Sequence, residues 1–321
     1  MYDLAIIGGG PAGVAAGVYA SRKRLKTLFI TKDWNNQSVV SEGIENWIGT
    51  INVSGPDFAK MLEEHLRAYA SDVVDIKVGE TVTKITKKEN SKGSVEGGLN
   101  GGFEITTDKS DSTSPYSAKT ILITTGSHRR KLSVPGADRY EHKGITYCAS
   151  CDGPVFAGQD VAVIGGGNAA FESAAQLLAY CKSVTLLNRS DEFRADPVTV
   201  KKLLLNPKLQ ALRNAQLLEI KGDKFVKSLT YLDKNSGQTQ ELLVGGIFVE
   251  IGSIPSNEFA RDLLPLDPFG RITVDSRTQS TSVEGVWAAG DSTDGLYHQN
   301  NISAGDAIKA LEDIYVYLHA K

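Results

Sequence analysis

The sequence predicts an α/β fold of two Rossmann-like three-layer domains carrying small antiparallel β layers, on three observations. A short apolar strand, a glycine-rich turn and a small-residue helix open the chain. The same order recurs from Asp160. Between the two stands Cys148-Ala149-Ser150-Cys151, followed at once by Asp152.

The first unit reads Tyr2 to Ile7 as a buried parallel strand, being short, β-branched and nearly all apolar. Gly8-Gly9-Gly10-Pro11-Ala12-Gly13 follows, then a helix from Val14 to Ser21 and a second strand, Thr27 to Thr31. In this setting Gly8 permits the tight turn, Gly10 lets a pyrophosphate approach the backbone, and Gly13 lets helix and strand pack closely. Asp33, just past the second strand, is the nearest carboxylate for a ribose hydroxyl. One glycine motif would also suit a tight turn in an unrelated α/β protein. Its repetition favours nucleotide sites: Asp160 to Ile164, then Gly165-Gly166-Gly167-Asn168-Ala169-Ala170, a helix from Phe171 to about Tyr180, and the strand Ser183 to Leu187. Near the C-terminus, Val283 to Asp291 reads as a strand ending in Gly290-Asp291. Asp291 suits polyol hydroxyls there, or an Asx turn. A last helix opens around Ser303. Thr81 to Ile85 and Phe103 to Thr106 form an antiparallel layer with polar loops at 90–102 and 108–118.

At 321 residues two domains are the ordinary expectation. A formal charge of -3 gives no electrostatic case for nucleic acid or an anionic membrane. No apolar run approaches the roughly 20 residues that span a bilayer, and the N-terminus shows no basic leader, so a cytoplasmic setting is expected. Three cysteines do not make a disulfide framework. No second Cys or His pair at metal spacing accompanies Cys148 and Cys151, so no metal site is expected. The pair is read as redox-active: its spacing lets both sulfurs share one turn, exchange needs a thiolate and a proton, and Asp152 is the adjacent proton donor. Cys181 reads as a buried small hydrophobe in the helix after the second turn.

With strand–GGGPAG–helix, YCASCDGP, IGGGNAAFESA and WAAGD in this order, the whole chain resembles low-molecular-weight thioredoxin reductases and the reductase portion of alkyl hydroperoxide reductase flavoproteins. Glu45-Asn46-Trp47, Thr124-Thr125-Gly126 and Tyr297-His298-Gln299 fall where that family has further patterns. The resemblance implies a homodimer with a discontinuous FAD domain at 1–127 and 251–321, and a pyridine-nucleotide domain at 128–250 carrying the dithiol. It implies hinges at Thr124–Ser127 and Ile251–Ser253. Cys151 would face the flavin and Cys148 would attack the substrate disulfide, with Asp152 as the acid. FAD contacts would include Gly8, Gly10, Pro11, Ala12, Gly13, Asp33, Gln37, Asn46, Thr125, Gly126, Asp291, His298, Gln299 and Asn300. NADPH contacts would include Gly165, Gly167, Asn168, Ala170, Arg189 and Arg194.

Two departures from the family pattern stand out. Its phosphate-reading His-Arg-Arg-x-x-x-Arg is here Asn188-Arg189-Ser190-Asp191-Glu192-Phe193-Arg194, short of one arginine and the histidine. A charge-assisted contact contributes about 1.5–3 kcal/mol, so NADPH binding should weaken roughly ten-fold or more. No carboxylate stands at the strand end to favour NAD instead. Asn35-Asn36-Gln37 replaces Gly-Gly-Gln, and Tyr315 and Tyr317 of the last helix would either approach the flavin or simply belong to an amphipathic helix. The expected function is a flavin-dependent reductase of a thioredoxin-like protein, fed by NADPH or by another donor such as ferredoxin. The alternatives are a dithiol oxidase using oxygen and a non-catalytic flavin redox sensor.

Overall fold

The computed structural model describes all residues except 42, 89–100, 111–114 and 321. The chain divides into two compact units, Met1–His128 with Ile254–Lys321, and Arg129–Ser253.

The first unit begins with β1 (Tyr2–Ile7), α1 (Pro11–Arg22), β2 (Thr27–Thr31), α2 (Gly55–Ala70) and β3 (Val74–Val78). β4 (Val82–Lys87), β5 (Phe103–Thr107) and β6 (Tyr116–Ile123) follow, and β7 (Ser127–Arg129) carries the chain onward. The strands lie in the order β3-β2-β1-β6-β5-β4. β1 to β3 and β1 to β6 are parallel, whereas β4, β5 and β6 pair antiparallel. Alternate side chains of β1 enter different cores. Leu4 and Ile6 join Val14, Phe58 and Leu62 from the helices, while Ala5 and Ile7 join Ile85, Phe103 and Ile105 from the antiparallel layer. That two-sided burial explains the unbroken apolar run. Of the loop expected at 90–102, residues 90–100 lie outside the described residues, as do 111–114 of the one expected at 108–118; Tyr116 to Ala118 are not loop but the start of β6, where they pair with β5.

The second unit holds α3 (Ala137–Tyr140), β8 (Ile145–Thr146), α4 (Ala149–Asp152), β9 (Asp160–Ile164), α5 (Asn168–Leu177), β10 (Ser183–Leu187), α6 (Pro197–Leu203) and β11 (Leu209–Leu212). Next come β12 (Ala215–Gly222), β13 (Val226–Asp233), β14 (Gln238–Leu243) and β15 (Gly246–Val249). The parallel sheet runs β11-β10-β9-β15-β8, and β12-β13-β14 form a separate antiparallel sheet. Val161 and Val163 pack with Phe171 and Leu177 of α5, and Ala162 and Ile164 pack with Leu229 and Tyr231 of β13.

β16 (Ser253–Pro255) returns the chain to the first unit, which β17 (Val286–Ala288) and α7 (Asn300–Ala320) complete. β17 pairs parallel with β6 at Val286–Ile121. The strand expected over Val283 to Asp291 is thus only three residues long; Gly290, at φ 75°, leads a 3-10 turn over Gly290–Ser292 instead. α1, α5 and α7 each start about three residues before the expected positions, at Pro11, Asn168 and Asn300. Apolar periodicity registers the packed face, not the polar first turn. Among the described residues no helix is long and apolar enough to cross a membrane.

Candidate active site

At the first turn Gly8 takes φ 121°, and its N–H donates to Ile30 O at 2.9 Å. A Cβ on Gly8 would lie 2.3 Å from Thr124 O, and one on Gly13 would lie 1.9 Å from Gly8 O. Both positions therefore require glycine. α1 starts at Pro11 behind Gly10, which caps it without a side-chain bond. The first N–H groups of α1 are left without intrahelical acceptors, as at any helix start. A Cβ on Gly10 would meet only Asn36 Cβ, at 3.8 Å, so the approach to this backbone is open.

The polar residues expected around the turn assemble from distant segments. Gln37 Nε2 donates to Asp291 Oδ2 at 3.1 Å and Ser127 Oγ at 3.3 Å. Asp291 Oδ1 accepts from Ser303 Oγ at 3.3 Å and lies 3.4 Å from His298 Nδ1. Asn46 Nδ2 donates to Gln299 Oε1 at 3.2 Å, and Asn300 Nδ2 to Ser38 Oγ at 2.9 Å. Thr125 Oγ1 donates to Asn257 Oδ1 at 3.2 Å, and Asn257 is itself fully buried. Gly126 has φ 66°, and a Cβ there would touch nothing. A Cβ on Gly290 would come 3.5 Å from Ala12 Cβ, which sets the Gly290–Asp291 turn against the start of α1. Asp33 borders the turn, its O 3.0 Å from where a Cβ on Gly9 would lie, and its Oδ1 accepts from Asn35 N at 2.8 Å and so holds its own turn. Ser38, Ser127, Asn257 and Ser303 were not expected at the site, because their partners mostly lie in remote segments and no local pattern marks them as polar contacts.

This cradle fits a dinucleotide. It offers an open glycine face and the start of a 12-residue helix. It also holds a buried polar atom, Asn36 Nδ2, with no hydrogen-bond partner among the described residues.

The second turn repeats the geometry. Gly165 takes φ 149°, its N–H donates to Leu187 O at 3.0 Å, and a Cβ there would lie 2.3 Å from Glu250 O. Gly167 caps α5 without a side-chain bond, and a Cβ on it would meet nothing within 4 Å. Ala170 is fully buried, with its methyl in the place Gly13 holds at the first turn. Asn168 turns its side chain aside, Oδ1 accepting from Asp196 N at 2.8 Å. Asn188 is 6% exposed, and its Nδ2 donates to Ser190 O at 2.8 Å and Glu192 O at 2.9 Å. It braces the loop rather than facing a ligand. Arg189 and Arg194 are exposed, with no side-chain partner among the described residues. Arg213, missed in the sequence because it sits on the next strand's exit, lies 4.8 Å from the Phe193 ring centroid and puts a third guanidinium beside this loop.

In the same unit, Cys148 and Cys151 form a disulfide with Cα atoms 5.3 Å apart. Cys148 caps α4, its Sγ accepting from Cys151 N at 3.2 Å. Thr146 Oγ1 donates to Asp152 Oδ2, fixing the acid's orientation. The turn then enters a 3-10 segment at Gly153, where a Cβ would lie 3.4 Å from Leu177 Cδ2. The dithiol is thereby anchored to α5, the helix of the second glycine turn.

One reading changes, and one pair of alternatives narrows. Cys181 lies beyond the end of α5 rather than in it; the residue is 1% exposed and burial pushes its thiol pKa up. Tyr315 and Tyr317 belong to the amphipathic helix alone. Tyr315 stacks on His319 at 4.4 Å with Lys23 Nζ 4.5 Å from its ring, and Tyr317 packs edge-on to Trp287 at 5.3 Å. They sit some four turns along α7 from its first residues, which carry the polar contacts to the glycine-turn region.

Residues 2–307 match the model of the family described as pyridine nucleotide-disulphide oxidoreductase. The chain belongs to that family. Its members use FAD, and this chain has the two Rossmann-like domains of a thioredoxin reductase-like FAD oxidoreductase. Thioredoxin reductase from Streptococcus pyogenes superposes with a TM-score of 0.85 at 32% identity, covering 100% of this chain and 99% of that one. The F component of alkyl hydroperoxide reductase from Xanthomonas campestris pv. phaseoli is 38% identical over 99% of this chain and 57% of its own length. A Bacillus subtilis protein named NADH dehydrogenase is 35% identical over 99% of this chain and 58% of its own. The chain thus spans a little under three-fifths of those two curated relatives.

Proposed function

We propose that this chain reduces the disulfide of a thioredoxin-like protein, using electrons that pass from a reduced nicotinamide donor through FAD to Cys148 and Cys151. The observation that carries this reading is the Cys148–Cys151 disulfide beside an oriented Asp152, in one unit with the second glycine turn. We assign FAD to the first unit, where the turn at Gly8 to Gly13 would hold its pyrophosphate and Asp291 its polyol. Gln37, Asn46, Thr125, Gly126, His298, Gln299 and Asn300 would contribute further contacts. Bound there, FAD supplies a two-electron relay between nicotinamide and disulfide.

The chain's own steps are thiol–disulfide exchange. In the dithiol state the Cys148 thiolate attacks one sulfur of the partner's disulfide, forming a mixed disulfide and releasing one partner thiol. Cys151 then attacks Cys148 Sγ, restoring the intramolecular disulfide and releasing the second thiol. Two electrons and two protons leave the dithiol, and Asp152 passes a proton to a departing sulfur. We assign NADPH as donor, read by Arg189, Arg194 and Arg213, and a homodimer as the working assembly.

The test is anaerobic titration of the purified flavoprotein with NADPH, NADH and reduced ferredoxin, following flavin absorbance. NADPH should bleach the flavin; bleaching by ferredoxin alone would overturn the donor. Cys148→Ser should keep the flavin and lose at least a thousand-fold of thioredoxin-reducing turnover, because the attacking nucleophile is gone. Undiminished turnover in that variant would refute the reading.

A further inference from the structure

Glu250 is a buried acid that the disulfide chemistry above leaves unused. In the second unit the chain winds from β9 to β10 to β11 in one direction, while β15 and β8 lie on the other side of β9. The winding therefore reverses between β9 and β15, and ligands of such sheets sit outside the carboxyl ends of the strands at that reversal. Gly165 follows β9, and Glu250 follows β15. The two ends are locked together: Glu250 N donates to Ile164 O at 2.8 Å, and Glu250 O blocks any Cβ on Gly165.

The Glu250 side chain keeps only 6% of its accessible area. Ser173 Oγ, from α5, donates to Oε1 at 2.6 Å. Among the described residues the one ion-pair partner of Oε2 is Arg129, with Nη1 4.0 Å away, beyond hydrogen-bond reach. Glu172 adds a like charge from α5, and burial is the largest influence, pushing the Glu250 carboxyl above its ordinary pKa. A carboxyl group buried this deeply is ordinarily hydrogen-bonded at both oxygens. Oε2 thus lacks a donor among the described residues, at the edge of the crevice where a dinucleotide would lie. The adenosine ribose of such a ligand is read by residues following the second strand, here β10, which puts its other half on the β15 side.

We propose that Glu250 binds the nicotinamide half of the dinucleotide, Oε2 accepting a hydrogen bond from a hydroxyl of the nicotinamide ribose. The proposal rests on the second glycine turn being a nucleotide site. Affinities for NADPH, NADH and adenosine 2′,5′-bisphosphate, which lacks the nicotinamide half, test it by calorimetry on the full flavoprotein. Glu250→Gln keeps the Ser173 bond but presents N–H donors in place of the Oε2 acceptor, and should lose several-fold in NADPH and NADH affinity. Glu250→Ala should lose roughly ten-fold, the usual effect of removing one charge-assisted bond. Neither variant should alter adenosine 2′,5′-bisphosphate binding. Equal weakening of all three ligands would mark Glu250 as structural, and wild-type affinity for NADPH and NADH in both variants would overturn the proposal. A wild-type protein that binds none of the three would remove the nucleotide site itself, and the proposal with it.

Discussion

At the first glycine turn Gly8 N bonds Ile30 O at 2.9 Å and a Cβ on Gly8 would meet Thr124 O at 2.3 Å; at the second, Gly165 N bonds Leu187 O at 3.0 Å and a Cβ on Gly165 would meet Glu250 O at 2.3 Å. The correspondence extends outward. A Cβ on Gly9 would strike Thr31 Oγ1 at 2.5 Å, and one on Gly166 would strike Asn188 Oδ1 at 2.3 Å. Thr31 and Asn188 then bond the carbonyl two residues ahead, of Asp33 and Ser190, at 2.6 and 2.8 Å. The backbone solution is the same in both units. Around it the first unit places neutral Thr124 where the second places Glu250, and Asp33 where the second places Ser190. Sterics hold the turns alike, so the difference between their ligands must reside in these neighbouring side chains.

The largest effects should come from adding a methyl group at the shared glycine. Gly8→Ala forces a side chain into φ 121° and against Thr124 O, a cost of about 3 kcal/mol or more. It should release the flavin, seen as loss of visible absorbance. Gly165→Ala should cost as much, yet leave the colour intact and abolish NADPH binding. Flavin loss from both variants would erase the distinction drawn between the units.

A smaller change sharpens the same contrast. Asn188→Ala strips the donor from Ser190 O and Glu192 O, at about 1–2 kcal/mol with these residues part-solvated. Thermal unfolding should register that loss. NADPH affinity should also fall, because the loop carrying Arg189 and Arg194 loosens, while flavin retention stays unchanged. Thr31→Ala should show the reverse pattern, with NADPH binding intact.

The smallest effect is a pH dependence at the second turn, where Glu250 stands beside Gly165. Burial raises the Glu250 pKa in the folded chain, so between the unfolded and the folded value the native state retains a proton that the unfolded chain has lost. Its contribution is fully present below the unfolded value, near 4.5, and is lost as pH rises through the raised folded value. Glu250→Gln removes this decline while keeping the Ser173 bond. The difference in Tm, variant minus wild type, should therefore grow as pH rises from 4.5 and then level off. A constant difference from pH 4 to pH 8 would show that Glu250 titrates like an exposed carboxyl.

Legibility varied with the range of the interaction. The turns at Gly8 and Gly165 were visible from apolar strand residues running into glycines, and the Cys148–Cys151 pair from its spacing. Gln37 and Asp291 were individually recognisable through a family pattern, but their 3.1 Å contact joins residues 254 positions apart. Nothing in the sequence indicated that Asn188 would turn inward. Arg213 went unnoticed because it lies just past the next strand, far along the chain from the loop, and Glu250 because an acid after an apolar run resembles any strand end.

By itself the sequence determined the two strand–turn–helix units and the dithiol between them. Positive φ, close backbone approach and hydrogen-bond reach over three residues are local matters, written into neighbouring side chains. Only the tertiary structure decided that Glu250 stands beside Gly165 while Thr124 stands beside Gly8. Strand order, set by burial of both faces of each sheet, chooses which distant strand end meets each turn, and that choice places a buried carboxyl at one nucleotide crevice and a hydroxyl at the other.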